Sequence, residues 1–278
     1  MREGSINFVV FPPPPTLAQD VPCLRLARRE GEDPVQIKVC PNGTPGMVLH
    51  LCGAEPAIVS IATRSVEFTG LPRFFLHGQG SEPSVMNFKP GRLTVLQVAL
   101  KPQALSTLFS LDPSLPRGFL EAAEFGAQGL EDELVAAPSD GPMVAAVWDF
   151  LQAKLAQAGP RDELVEAALD LIHLHVATIT VQKLLAALPI SERQFEKRFT
   201  RAVGCPPQKY IRVKRINEAL RLMKTGEYQR LSDIAYALNF YDQSHFIREI
   251  KAFSWLTPKR ITQKVSELRQ DETGSSWE

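Results

Sequence analysis

Cysteine is scarce in this chain: four in 278 residues, none in a CxxC pair, too few and too scattered for a disulfide framework or a zinc knuckle. Cys23, Cys40, Cys52 and Cys205 read as reduced thiols of a cytoplasmic protein. Long apolar runs are also missing, and nothing approaches the ~20 residues a membrane span needs. The start, Met1-Arg-Glu-Gly and a mixed run ending in Pro12–Pro15, lacks the apolar segment and cleavage site of a secretory signal. Catalytic signatures are absent too. There is no G-x-S-x-G, no H-E-x-x-H and no P-loop, and Gly78-x-Gly80 continues to Pro83 where a third glycine is wanted. His50 and His77 stand alone, and His173-x-His175 lies on a helix, where i, i+2 side chains diverge. The expectation is therefore a protein that is not an enzyme and has no cofactor and no metal site.

Net charge is absent as well, with 31 basic and 31 acidic residues, but this zero hides an asymmetry. Residues 180–265 hold 17 Lys and Arg against 7 Asp and Glu, which leaves 14 basic and 24 acidic in the remainder. A basic module beside an acidic one points to a polyanionic partner for the basic part only.

At this length two domains with separate cores are expected. From about Leu24 to Leu100, short apolar runs alternate with turn residues. Val35–Cys40, Met47–Cys52, Ala57–Ala62, Arg73–His77 and Thr94–Leu100 read as strands, with a turn at Pro41-Asn42-Gly43. This is the pattern of a barrel or sandwich. After Pro102 the periodicity becomes helical, in Leu105–Phe109, in Met143–Ala158 behind Gly141-Pro142, and in Asp162–Ala177. The expected fold is α+β: a β-rich, cupin-like or barrel module with packing helices over 1–160 and a connecting helix and hinge over 161–179. An all-α module over 180–265 and a tail over 266–278 complete it.

What fills the basic module is a repeat. Leu188–Phe199 and Leu238–Ile250 superpose once the second turn is allowed one extra residue, so that Phe195 matches Phe246, Phe199 matches Ile250, Lys197 matches Arg248 and Pro207 matches Pro258. Each copy is a short apolar helix, a tight turn, and a second helix with polar and basic residues outward, that is, a helix-turn-helix. Ser191 with Gln194 reads as a capping box. Gly204 stands where a left-handed cap is wanted, and Pro206-Pro207 opens a helix to Thr225 that buries Tyr210, Val213, Ile216, Leu220 and Met223. Its cations Arg212, Lys214, Arg215, Arg221 and Lys224 are expected in part at phosphates. Ser232 reads as the next N-cap, and Asn239 supplies left-handed geometry in the second turn.

These pieces resemble the DNA-binding domain of the AraC/XylS family of bacterial transcription regulators. The matching residues are Ile190-Ser191 with Phe195 and Phe199, Gly204-Cys-Pro-Pro-Gln-Lys-Tyr210, Arg215-Ile-Asn-Glu-Ala219, Ile234-Ala235, Phe240-Tyr-Asp-Gln-Ser-His-Phe246, Lys251 and Thr257-Pro258. The resemblance covers nearly a third of the chain and implies one monomer that sets two recognition helices in successive major grooves of double-stranded DNA. It implies base contacts from Arg193, Glu196, Lys197, Gln243, Ser244, Ile247 and Arg248, and phosphate contacts from Ser191, Arg212, Arg215 and Lys251. Trp255 departs from a usual glycine, Ile261-Thr262 from a usual Tyr-Arg, and Pro189 sits in the first turn.

Pro41-Asn-Gly43 before Met47–Leu51, Phe75-Leu-His-Gly-Gln79 and Phe88-Lys-Pro-Gly91 are similar to the N-terminal domain of some AraC-like proteins. That domain implies a small-molecule effector or a homodimer as partner, and RNA polymerase if the output is activation. Two alternatives stand beside this reading: a thiol- or metal-sensing regulator using Cys23, Cys40, Cys52, His50 and His77, and an N-terminal ligand-binding or catalytic module that the DNA domain merely localises.

Overall fold

Residues 6–51, 55–80, 82–111, 113, 118–271 and 274–277 are described by a computed structural model. Strands come first: β1 (Asn7–Phe11), β2 (Cys23–Arg29), β3 (Val35–Val39), β4 (Gly46–His50), β5 (Ile58–Ala62), β6 (Glu67–Thr69), β7 (Phe74–His77), β8 (Ser84–Phe88) and β9 (Leu93–Ala99). Then follow α1 (Ala104–Phe109), β10 (Phe119–Glu121), α2 (Gln128–Ala136), α3 (Asp140–Ala156) and α4 (Glu163–Leu174). The helical module is α5 (Val181–Ala187), α6 (Glu192–Val203), α7 (Pro207–Thr225), α8 (Leu231–Ala237), α9 (Gln243–Ser254) and α10 (Pro258–Gln263), and the chain closes with β11 (Arg269–Asp271) and β12 (Gly274–Trp277). Among the described residues, no helix is long and apolar enough to cross a membrane.

The strands form two antiparallel sheets, β1-β2-β9-β4-β7-β10 and β11-β12-β3-β8-β5-β6. Period-two alternation distributes the first sheet between two cores. Leu24, Leu26, Met47, Leu49, Phe74, Leu76, Leu96 and Val98 point outward to α1–α3, while Val48, Phe75, Leu93 and Val95 point between the sheets toward Ile61 and Phe88. Strand β4 is buried at every position, so Met47, Val48 and Leu49 show no polar alternation, and His50 at its end is buried too. The short, charge-free β1 lies beyond the strands expected from Leu24 onward and forms the edge of the first sheet.

α4, in the stretch expected as a connecting helix, is built into the helical module: Val165, Ala168, Leu169 and Ile172 pack with Leu184, Phe195, Phe199 and Tyr210 in the core of the first helix-turn-helix. Residues 266–278, read as a tail, contain a hairpin: β12 pairs with β3 of the second sheet, Ser276 opposite Val39 and Trp277 opposite Lys38. A three-residue and a four-residue strand carry too little periodicity to stand out in a sequence.

The two modules meet along α7. The Lys214 ammonium donates to the Asn42 carbonyl at 2.9 Å, and the Asn217 amide donates to the Pro41 carbonyl at 2.8 Å. Gly43, at φ +71°, lies so close to Tyr210 that an added Cβ would stand 2.9 Å from its ring. Gly204, also left-handed at φ +88°, would bring a Cβ to 2.6 Å from the Pro113 carbonyl. Only glycine satisfies both the backbone and the approach at these positions.

Candidate nucleic-acid interface

The first reader begins where Thr180 caps α5 by accepting from the Lys183 amide at 3.2 Å. After the Leu188-Pro189-Ile190 turn, Ser191 is the N-cap of α6 with an extended backbone, but it does not form the expected capping box. Its hydroxyl instead donates to the Gln194 side-chain carbonyl at 3.1 Å. Phe195, Phe199 and Val203 are fully buried and orient the helix, leaving Arg193, Glu196 and Lys197 exposed together on the other face. Arg198 on that side is held by Asp162, at 3.0 and 2.7 Å.

The second reader repeats the construction. α8 is capped at Arg230 and not at Ser232: the Asp233 carboxylate accepts from the Arg230 and Gln229 amides at 2.7 and 3.2 Å. An acid at N3 reaches back here, a role that a serine-first reading does not see. Asn239 takes φ +55° in the turn, and Asp242 caps α9 by accepting from the His245 amide at 2.6 Å. Phe246, Ile250 and Phe253 are buried. Gln243, Ser244, Arg248 and Lys251 are exposed, whereas Ile247 is half-buried against the core of this unit. Tyr241, 90% exposed, stands just before the cap of α9. Trp255 ends α9 in a left-handed conformation, φ +58°, and Ile261 is fully buried in the core of the second reader.

The rod between the readers spends its cations inside the protein. Arg212 pairs through both nitrogens with Glu249 of α9, which leaves it at the surface beside that helix. Arg215 is half-buried and donates to the Ile179 and Val176 carbonyls at 2.7 and 3.4 Å, with its pKa lowered by burial. Arg221 is clasped by Glu218 and Glu227, and Lys224 donates to the Gln270 carbonyl at 3.2 Å. Burial also lowers Lys214 to about 8. Their partners stand up to 172 positions away, out of reach of helical spacing.

In the β-module, no three His, Cys, Asp or Glu side chains converge as a metal site among the described residues. Cys23 and Cys40 are buried, and desolvation pushes the Cys40 thiol up and Cys205 to about 11. Cys52 lies outside the described residues. His50 accepts from the Ala57 amide at 3.2 Å through Nδ1, and burial lowers it to about 4; the His77 ring donates to the Gly78 carbonyl at 3.0 Å. A cleft of about 350 Å³ opens between β9 and the helices α2 and α3, lined by Leu51, Thr94, Leu134 and Met143 with Arg28 and Arg92.

Two families match parts of this chain. Residues 184–264 match a helix-turn-helix domain, and residues 9–116 match a domain of unknown function, DUF6597. No curated protein sequence matches. Among solved structures, ToxT from Vibrio cholerae is similar at 14% identity and a TM-score of 0.46, over 93% of this chain and 98% of that one. ToxT with bound unsaturated fatty acid is 15% identical with a TM-score of 0.46, covering 94% and 97%. The AraC-like transcriptional activator CuxR is 14% identical with a TM-score of 0.26, covering 77% and 95%.

Proposed function

We propose that this chain, whose residues 184–264 match a helix-turn-helix domain and resemble the AraC type, regulates transcription by reading two DNA boxes with one monomer. The observation that carries this is the pair α6 and α9. Each is locked by its own buried aromatic and aliphatic residues, each turns a polar face to solvent, and the rod α7 stands between them. Its 19 residues span about 28 Å at helical rise, close to the ~34 Å between successive major-groove faces.

Arg193, Glu196 and Lys197 read the first box and Gln243, Ser244 and Arg248 the second. Arg and Lys donate to guanine O6/N7, Gln serves adenine, and Glu accepts from cytosine N4. Ile247 offers only its outer edge, enough for a thymine methyl. Ser191, Arg212 and Lys251 make phosphate contacts. Arg215 leaves that set, because its guanidinium already serves two carbonyls. The β-module modulates binding, through a small organic effector in the cleft beside α2–α3 or through pairing with a second copy. The thiol-sensing alternative loses ground, since buried thiols held above their ordinary pKa are poor nucleophiles.

The test is selection of a duplex from a randomised pool by the full chain, followed by salt titration. Two boxes about one turn apart and a steep salt dependence are expected. On that duplex, Arg248→Ala should cost about 1–3 kcal/mol and relax one base position. Equal weakening on every sequence would move Arg248 to the phosphate contacts, and absence of any selected sequence would sink the reading.

A further inference from the structure

The last described residues carry an assignment that the DNA-reading role does not use. After α10 the chain crosses back over the rod and enters the β-module as the hairpin β11–β12. The Cys40 amide at the end of β3 donates to the Ser275 carbonyl at 2.9 Å. Trp277 and Leu268, 3% exposed each, lie in the core of the second reader with Cys40, Val213, Ile216 and Leu220. That core is therefore shared: the reader supplies most of it, joined by Cys40 just past β3, Leu268 just before β11 and Trp277 of the hairpin. Gln270 donates through its amide to the Asn217 carbonyl at 3.0 Å, and Asn217 donates in turn to Pro41 at 2.8 Å. The Arg269 guanidinium stacks 3.2 Å from the centroid of the Phe8 ring of β1. The end of β3 is thus held from two directions by the same module, along its edge by β12 and beyond its end by α7.

The seat is not fully satisfied. Trp277 Nε1, Ser275 Oγ and Gln270 Oε1 are buried without a hydrogen-bond partner among the described residues. Each such group adds the cost of lost hydration to the docked state, whereas in the undocked state water serves all three. Short strands at a sheet edge are also the elements that open at low free energy.

We propose that the hairpin β11–β12 is a releasable latch that fixes the second reader on the β-module and so sets the spacing at which the two recognition helices meet DNA. Docked, it ties α7, α9 and α10 to β3 as one body. Released, it leaves the second reader attached through α7 alone, and its helix-turn-helix turns relative to the first. Because β3 pairs with β8 inside the β-module, a change in that sheet reaches the readers through the latch. The spacing consequence rests on the two-box reading; the latch itself does not.

Two measurements on the full chain separate them. Hydrogen exchange, without DNA, follows the Cys40 amide in the native protein, in Trp277→Ala and in Lys224→Ala, the latter removing only the Lys224–Gln270 contact. At least tenfold faster exchange at Cys40 in Trp277→Ala, with an intermediate effect in Lys224→Ala and the amides of β4 unchanged, is expected. Unchanged exchange at Cys40 in both variants, or loss of protection at β4 together with Cys40, overturns the latch. Binding is then compared on the selected duplex and on duplexes with one base pair added or removed between the boxes. The native chain should prefer one spacing at least tenfold and Trp277→Ala no more than about threefold. Equal spacing preference in both proteins, with Cys40 released, overturns the spacing role. A native chain that selects no duplex at all sinks the two-box reading, and the exchange result still decides the latch.

Discussion

Arginines that look alike in the sequence are set to different work by what surrounds them. Arg248 on α9 is exposed, Arg212 is shared with Glu249, and Arg215 serves two carbonyls of the 176–179 connection. A half-buried guanidinium giving two hydrogen bonds to backbone carbonyls holds that connection against the rod, and hydrogen bonds from a charged group contribute about 1.5–3 kcal/mol when buried. Partial exposure lowers this, so Arg215→Ala should cost about 1–2 kcal/mol of unfolding free energy in urea. The same variant should leave the slope of log affinity against log salt unchanged, whereas Lys251→Ala should reduce it by about one. A salt slope that falls in Arg215→Ala would show the guanidinium turning to a phosphate in the complex.

Helix ends show where sequence reading succeeds and where it stops. Gly204 and Asn239 are legible because their residue types are among the few that take left-handed geometry without strain, and both do. The buried stripes Phe195–Phe199 and Phe246–Ile250 follow from 3.6-residue periodicity alone, so the faces carrying Arg193, Lys197 and Arg248 were fixed with them. The cap at Arg230, the hairpin at 269–277 and the partners of α7 depend on atoms far along the chain, and no local pattern encodes them. Trp255 is the instructive departure. It holds φ +58° at the end of α9, a conformation that costs an ordinary L-residue roughly 1–2 kcal/mol. Its side chain is half-buried at the edge of the unit. Glycine there removes the strain but adds about 0.4–1 kcal/mol of unfolded-chain freedom and gives up the half-buried indole, a loss of about 1.5–3 kcal/mol. Trp255→Gly should therefore lower stability by about 1 kcal/mol, seen as a lower thermal midpoint. A higher midpoint would mean that the left-handed strain outweighs the packing of the indole.

At the scale of the whole molecule, the buried titratable groups give the two modules a common response to acid. His50 is lowered to about 4 by burial, with Lys89 and Arg73 adding to the shift, and burial also lowers His77 and His173. His173 lies against Tyr210 at the junction of the modules, and the nearby Lys214 and Lys101 depress it further while Asp170 opposes them. An unfolded histidine takes up its proton near 6.5. Between that value and the folded pKa the unfolded chain binds more protons than the native one, so stability declines as pH falls through this window. Above 6.5 both states are neutral and this contribution is at its full value. For His50 the window runs from 6.5 down to about 4 and is worth on the order of 3 kcal/mol at its acid end. Lys214 follows the same rule at higher pH: its ammonium is buried in the native state, so stability rises between about 8 and the unfolded value near 10.5. Urea unfolding of the native chain should thus show a marked loss of stability from pH 6.5 to 4.5. His50→Asn retains an acceptor for the Ala57 amide but cannot take a proton, and it should flatten that loss by about half. An identical decline in both proteins would place the acid sensitivity on His77 or His173 and not on His50.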